Sequence, residues 1–477
     1  MPYQNPATPT YILRGHAAPI HALRFFDQNR RLISGDAEGW IVVWDVVTKR
    51  PVAVWKAHDG AILEVRGEMD GWTGGTVVYT HGRDHKLRVW RYARRDEEEG
   101  VLGRELPVEI AGAGAGAGAA ASSAAQPWLL HSLAVNALNF CAFGLLCLPS
   151  PSPPPSFVSV EESASSGEMQ SGAEVPSTAP IAATTPASPA APASPAATPA
   201  IIAVPNALNS GAIDLFHLPS EKRICTIPAD SQVKTGMVMA LSLFLAPPGG
   251  GAGDATGYSR RSLFLAAAFE DGHVLVLRCQ VPLSAPRAAE TSEEEQQWKW
   301  EEGQQWKWEK LYANRTHDQP VLALDIAPTG EWVCSSAADA RVVKHPLTLL
   351  DSPRASAGIQ TEAIKIVDTR HAGQQGLRVR SDGKILATAG WDARVRVYSG
   401  KTLKEVAVLK WHKEGCYAVA LAEVLESGEK DPTCDDEGTG SSRSLAVLHR
   451  RRNEKVQRTH WVAAGSKDGK ISLWDIY

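Results

Sequence analysis

Apolar and polar residues alternate with a period of two through short runs along most of the chain, and the runs come in pairs. LISGDAEGWIVVWD (32–45), VYTHGRDHKLRVW (78–90), LATAGWDARVRVY (386–398) and VAAGSKDGKISLWD (462–475) share one plan. Each reads as a strand, a tight turn carrying Asp or Glu with Gly or Ala nearby, and a second strand, the signature of a β-hairpin. Upstream of each lies a histidine that opens a further alternating run, as in RGHAAPIHALRFF (14–26), KAHDGAILEV (56–65) and THDQPVLALDIAP (316–328). Three looser copies fill the middle: IAVPNALNSGAIDLFHL (202–218), LAAAFEDGHVLVLRC (265–279) and WVCSSAADARVVKHPL (332–347). The closing positions of the seven hairpins are Trp44, Trp90, Phe216, Leu277, His345, Tyr398 and Trp474. Self-similarity of this kind predicts a repeat architecture in which each unit buries its apolar face on the next.

The pattern resembles the WD-repeat family, in which roughly 40–45 residues build one four-stranded propeller blade. The resemblance implies an all-β, seven-bladed WD-repeat β-propeller spanning residues 8–477 as one domain. It also implies one hydrogen-bonded set per blade, made of a His, a Ser or Thr, an Asp and a Trp. Carried over residue by residue, unit two has His58, Thr80, Asp84 and Trp90. Unit one has His16, Ser34 and Trp44, with Glu38 at the usual Asp position. Unit six has His371, Thr388 and Asp392, with Tyr398 in place of Trp. Unit seven has His412, Asp468 and Trp474, with Ala464 at the hydroxyl position. A buried imidazole and a buried indole N–H need acceptors, so these residues are read as structural rather than catalytic. The chain stops just after the third strand of unit seven, and Tyr11 to Arg14 form a spare strand before the first histidine. Pairing the two is expected to close the ring and leave only short edges.

Composition adds the material between strands. The 477 residues include 31 prolines and 40 glycines, and they concentrate in insertions. Residues 111–127 are an Ala/Gly linker, and residues 149–200 are a Pro/Ser/Ala-rich stretch that cannot bury enough apolar area to fold. Residues 284–310 are acidic and tryptophan-rich, with QQWKWE at 296–301 repeated at 304–309; residues 428–458 run from acidic to basic. All four are expected to be disordered loop insertions. The tryptophans of the QQWKWE pair suit either a partner anchor or a slippage duplication in a loop. The basic run Arg450, Arg451, Arg452, Lys455 and Arg458 suits a nuclear import signal, an anionic contact or a solvated loop.

Candidate chemistry is sparse. SGKT (399–402) lacks the upstream glycine of a phosphate loop, which would stand at Val395; no HExxH is present. Seven cysteines without a CxxC pair read as reduced thiols. The stretch Leu133 to Pro149 is interrupted by Asn136 and Asn139 and falls short of the roughly 20 apolar residues of a span. A formal net charge of −4 argues against a strongly basic nucleic-acid coat. No enzyme activity, cofactor, metal, direct nucleic-acid contact or membrane contact is therefore expected. Trp40 and Trp391 flank tight turns and are candidate partner contacts.

Over residues 8–65 and 460–477 the chain is similar to the WD-repeat subunits of the fungal ASTRA complex. That resemblance implies a nuclear scaffold, with the cytoplasm as a second address, in chromatin remodelling and in assembly of phosphatidylinositol-kinase-related proteins. Its implied partners are ASTRA subunits: helical-repeat cochaperones, a giant kinase-like protein and AAA+ helicases. The alternative is a WD-repeat substrate receptor of a cullin-type ubiquitin ligase. It would take short peptides in a basic channel mouth, for which Arg24, Arg83 and Arg394 are the residues to inspect.

Overall fold

The alternating runs fold as seven four-stranded antiparallel sheets arranged as the blades of a ring. The computed structural model describes residues 8–70, 74–112, 125–136, 140–148, 199–231, 233–246, 260–280, 283–284, 306–347, 358–425 and 445–476. Blade one consists of Ile20–Phe26, Arg31–Asp36, Trp40–Asp45 and Arg50–Lys56, from channel to rim. The inner strands of blades two to seven are Ile62–Met69, Gly144–Cys147, Val238–Leu245, Val321–Ile326, Gln374–Val379 and Cys416–Leu421. The seven closing positions read from the hairpins all fall in third strands.

Second strands such as Arg31–Asp36, Thr76–Gly82 and Trp461–Ser466 are buried almost throughout, because a neighbouring blade covers each face. That double burial explains their small or apolar runs with few charges. Apolar side chains gather in seven clusters, one between each pair of adjacent blades. The blade-closing aromatics face the preceding blade: Trp90 packs with Ile33, Ile41 and Trp55 of blade one, and Trp474 with Ala387 and Val397 of blade six.

Blade seven is closed by the N-terminal strand. Tyr11–Arg14 runs antiparallel to Lys470–Asp475, with Tyr11 opposite Leu473 and Leu13 opposite Ile471. The turn glycines then lock neighbours together. Gly39 has φ +88°, and a Cβ there would stand 1.9 Å from the carbonyl oxygen of His58 in blade two. Gly469 of blade seven presses on the carbonyl of His16 in the same way, across the closure. Only a residue without Cβ permits both the dihedral and the approach.

Two expectations about insertions change. The second QQWKWE copy is not all loop: Trp308–Arg315 is the outer strand of blade four, and Trp306 and Trp308 pack against the cluster between blades three and four. Trp298 and Trp300 lie outside the described residues. The basic end of the 428–458 insertion is a helix, Leu445–Arg458, built from good helix formers without Gly or Pro and docked through the buried Val456. Of two shorter helices, Arg94–Glu98 precedes the Ala/Gly run and Pro107–Gly112 extends into its first two residues. Most of 111–127, nearly all of 149–200 and the acidic part of 428–458 lie outside the described residues.

Candidate functional site

Blades one, two, five, six and seven each place a histidine just before the inner strand and an acidic turn between strands two and three, so the two come close at one end of the ring. In blade two, His58 Nδ1 donates to Asp84 Oδ1 (2.8 Å), Thr80 Oγ1 donates to His58 Nε2 (2.8 Å), and Trp90 Nε1 donates to Thr80 Oγ1 (3.0 Å). Burial alone would raise the Asp84 carboxyl, but the hydrogen bond and charge of His58 hold it below the usual carboxylate range.

The other sets depart from the sequence assignment. In blade one the partner of His16 is Asp36, at 2.8 Å, not Glu38. Asp36 ends its strand and also accepts the turn amides of Glu38 and Trp40, while the longer Glu38 stands exposed at the turn. Ser34 joins His16 (2.7 Å) and Trp44 (2.9 Å) as assigned. Blade six forms no such set. The buried Arg396, directly across from Thr388, takes Asp392 in two hydrogen bonds of 2.5 and 3.1 Å. His371 is left exposed, 3.8 Å from Asp392, and the Thr388 and Tyr398 hydroxyls make no hydrogen bond of good geometry. In blade seven Asp468 bonds Lys470 and stands 4.0 Å from His412. The hydroxyl absent at Ala464 is supplied by Ser472, its partner on the neighbouring strand, which meets both His412 and Trp474 at 2.8 Å.

Blade five holds a set that the sequence reading missed. Tyr312 donates to His345 Nδ1 (2.9 Å), His345 Nε2 to Ser335 (2.7 Å), Ser335 to His317 Nε2 (2.8 Å), and His317 Nδ1 to Asp339 (3.1 Å). One tautomer of each ring satisfies the whole chain, with His345 in the place of Trp. Burial pushes the His345 imidazole down to about 3, which keeps it neutral. The signal was present: Ser335, Asp339 and His345 repeat the spacing of Thr80, Asp84 and Trp90.

The central channel has a chemistry of its own. Six inner strands carry a bulge after their first residue, and the next paired residues are Ala22, Glu64, Ala240, Ala323, Gly376 and Ala418. Ala142 joins this level through a bridge to Ala240. Small side chains let the strands converge into a neck with a cavity of about 100 Å³. Glu64 is the exception. Two residues further along stand Arg24, Arg66, Ser242, Asp325, Arg378 and Ala420, and three of these arginines turn to Glu64. Arg378 Nη2 lies at 2.6 Å, Arg24 Nε at 3.4 Å and Arg66 Nε at 4.0 Å. Burial would raise the Glu64 carboxyl, but the three guanidinium groups outweigh it and bring it down to about 2. The ionic plug separates the neck from a wider cavity of about 670 Å³ that opens at the other mouth beside Asp27, Glu68 and Glu423.

Arg24 is thus consumed inside the channel. Arg83 lies over the Phe140 ring, and Arg394 donates to the Ala393 carbonyl. The histidine-end mouth is instead aromatic: Tyr417 stacks on His21, Phe140 is 45% exposed and Trp391 is 48% exposed. Trp391 rests on Gly373 and donates to Gln375 Oε1 at 2.8 Å. Trp40, by contrast, packs into the cluster between blades seven and one. Among the described residues no group of three or more His, Cys, Asp or Glu side chains is placed to hold a metal. Six cysteines there are free thiols and none is exposed; Cys434 lies outside the described residues.

Comparison with known proteins agrees with this architecture. The family described as "WD domain, G-beta repeat" matches residues 7–45, 308–343 and 456–475. The chain is 51% identical to ASTRA-associated protein 1 of Aspergillus niger over 99% of its own length and 98% of that protein. It is 50% identical to the protein of that name from Aspergillus flavus, with the same coverage, and 27% identical to that of Schizosaccharomyces pombe over 98% of this chain and 99% of the other. With relatives this similar from end to end, the chain belongs to the ASTRA-associated protein 1 family of WD-repeat β-propellers.

Proposed function

We propose that the protein is a non-catalytic scaffold subunit of the ASTRA complex. It works in the nucleus, with the cytoplasm as a second address, in chromatin remodelling and in assembly of phosphatidylinositol-kinase-related proteins. Its partners are the complex's helical-repeat cochaperones, its kinase-like giant protein and AAA+ helicases, with no direct contact to nucleic acid or membrane. The observation that carries this reading is the end-to-end similarity to ASTRA-associated proteins, which covers every blade. The buried sets support it: their His, hydroxyl and Asp groups satisfy one another within a blade, which is work of stabilisation rather than turnover.

The aromatic mouth is the contact face. Large aromatics that are exposed yet held in place are efficient anchors, because little side-chain entropy is lost when a partner covers them. Trp391 fits this role and the packed Trp40 does not. Of the arginines the cullin-receptor alternative would use, Arg24 is already paired with Glu64, which leaves it Arg83, over the Phe140 ring, and Arg394. Tagged chain purified from nuclear extract should recover the helical-repeat and kinase-like subunits. Recovery of cullin-ligase components alone would overturn the proposal.

A further inference from the structure

The helix Leu445–Arg458 leaves blade seven next to the wide mouth of the channel. It is fixed there on one side. Val456 is buried, Trp461 Nε1 donates to the Val456 carbonyl (3.0 Å), Asn29 Nδ2 donates to the Gln457 carbonyl (3.1 Å), and Gln457 Nε2 donates to Gln28 Oε1 (2.9 Å). At about 100° per residue Val447 stands opposite Val456, and Arg458, Arg451, Lys455 and Leu448 follow it round one side of the helix until Leu448 is only about 80° from Val456, while Glu454 borders Val447 on the other side. Val447, Arg458, Arg451, Lys455 and Leu448 are all exposed. Arg451 and Lys455 are four residues apart, and Lys455 and Arg458 three, so like charges are stacked where they repel. The one acid among the described residues of the helix, Glu454, pairs with Arg450 on the flank, 3.0 Å away.

We infer that this face is a docking surface for an acidic, amphipathic segment of a protein partner. The inference rests on the scaffold reading above, since it takes that partner from the ASTRA subunits. With Glu454 at the edge of the stripe drawn to Arg450, the cations Arg451, Lys455 and Arg458 call for carboxylates at matching intervals. The adjoining Val447 and Leu448, 42% and 37% exposed, call for apolar side chains beside them. A nucleic-acid backbone offers phosphates but no apolar surface for those two residues. The ring holds the helix rigid, so binding does not have to order it.

The test is carbodiimide crosslinking of the complex purified on the full-length chain, which joins the Lys455 amine to a carboxylate in direct contact. A triple variant, Arg451→Glu with Lys455→Glu and Arg458→Glu, is purified in parallel. The expected result is a Lys455 crosslink to an Asp or Glu in one acidic segment of one subunit. The triple variant loses that subunit, while its circular dichroism spectrum and melting temperature match the parent. Recovery of every subunit with the triple variant overturns the docking surface and leaves the scaffold reading standing. Crosslinks confined to Glu429–Glu437 of the chain itself overturn it too, as does loss of duplex-DNA binding in place of a subunit. If the parent chain recovers no ASTRA subunit, the scaffold reading itself falls, and the docking surface with it.

Discussion

Ser472 occupies the position where a blade's hydroxyl is not expected, yet it serves the same two groups as Thr80 in blade two. It reaches them because it is the strand partner of Ala464, so one hydroxyl can reach the same buried imidazole and indole from either strand of the pair. Ser472→Ala would leave His412 and Trp474 with unsatisfied buried groups, at about 1–3 kcal/mol each. The variant is expected to unfold at clearly lower urea than the parent with an unchanged m-value; an unchanged midpoint would refute the role. Single residues were the least legible feature of the sequence. His58, Thr80, Asp84 and Trp90 could be read directly, because each stands at its repeat position. Asp36 and Ser472 could not, because their roles depend on reach across space rather than on place in the repeat. His371 illustrates the converse: it occupies the repeat position, but a buried Arg396 claims its aspartate.

The inner strands show the same division one level up. The alternation of the inner strands was plain in the sequence for blades one, two, five, six and seven, whereas Gly144–Cys147 and Val238–Leu245, the inner strands of blades three and four, were not singled out there. That the inner strands bring Ala22, Ala240, Ala323, Gly376 and Ala418 to one neck, with Glu64 alone among them, follows from the bulge common to six blades. Residues more than 300 positions apart, such as Glu64 and Arg378, meet only because the ring closes. Removing one partner of a buried ion pair strands the others, so Glu64→Gln is expected to cost about 3–5 kcal/mol. The pH dependence has a definite sign. The Glu64 carboxyl is depressed from 4.5 to about 2, so its contribution is complete above pH 4.5 and is lost as the pH falls from there toward 2. Melting curves across that window should show a steeper acid loss in the parent than in Glu64→Gln. The helix Leu445–Arg458 was hidden for a different reason: charge runs read as loop until a buried contact such as Val456 holds one face.

Closure of the ring is a property of the entire chain. The strand Tyr11–Arg14 completes a sheet whose other three strands lie beyond residue 415, so its contacts join the two ends of the polypeptide. Deleting residues 1–14 exposes the edge of Lys470–Asp475 and uncovers Leu473 and Ile471. A marked fall in the melting temperature is expected, together with a gain in aggregation through the freed edge. An unchanged transition would mean that the ring holds without its closing strand. Repeat count, fold class, closing strand and blade-closing positions were all legible in the chain, because local alternation and turn chemistry recur in every unit and need no knowledge of distant residues. The ionic plug in the channel, the exchange of Glu38 for Asp36, the loss of the blade-six set and the exposed face of the helix were settled by the folded ring alone. The plug joins side chains of separate blades, and the others turn on which side chain wins a partner within one blade or which side of a helix the ring covers; in each case a strand's own sequence does not state which charge or hydroxyl will arrive beside it.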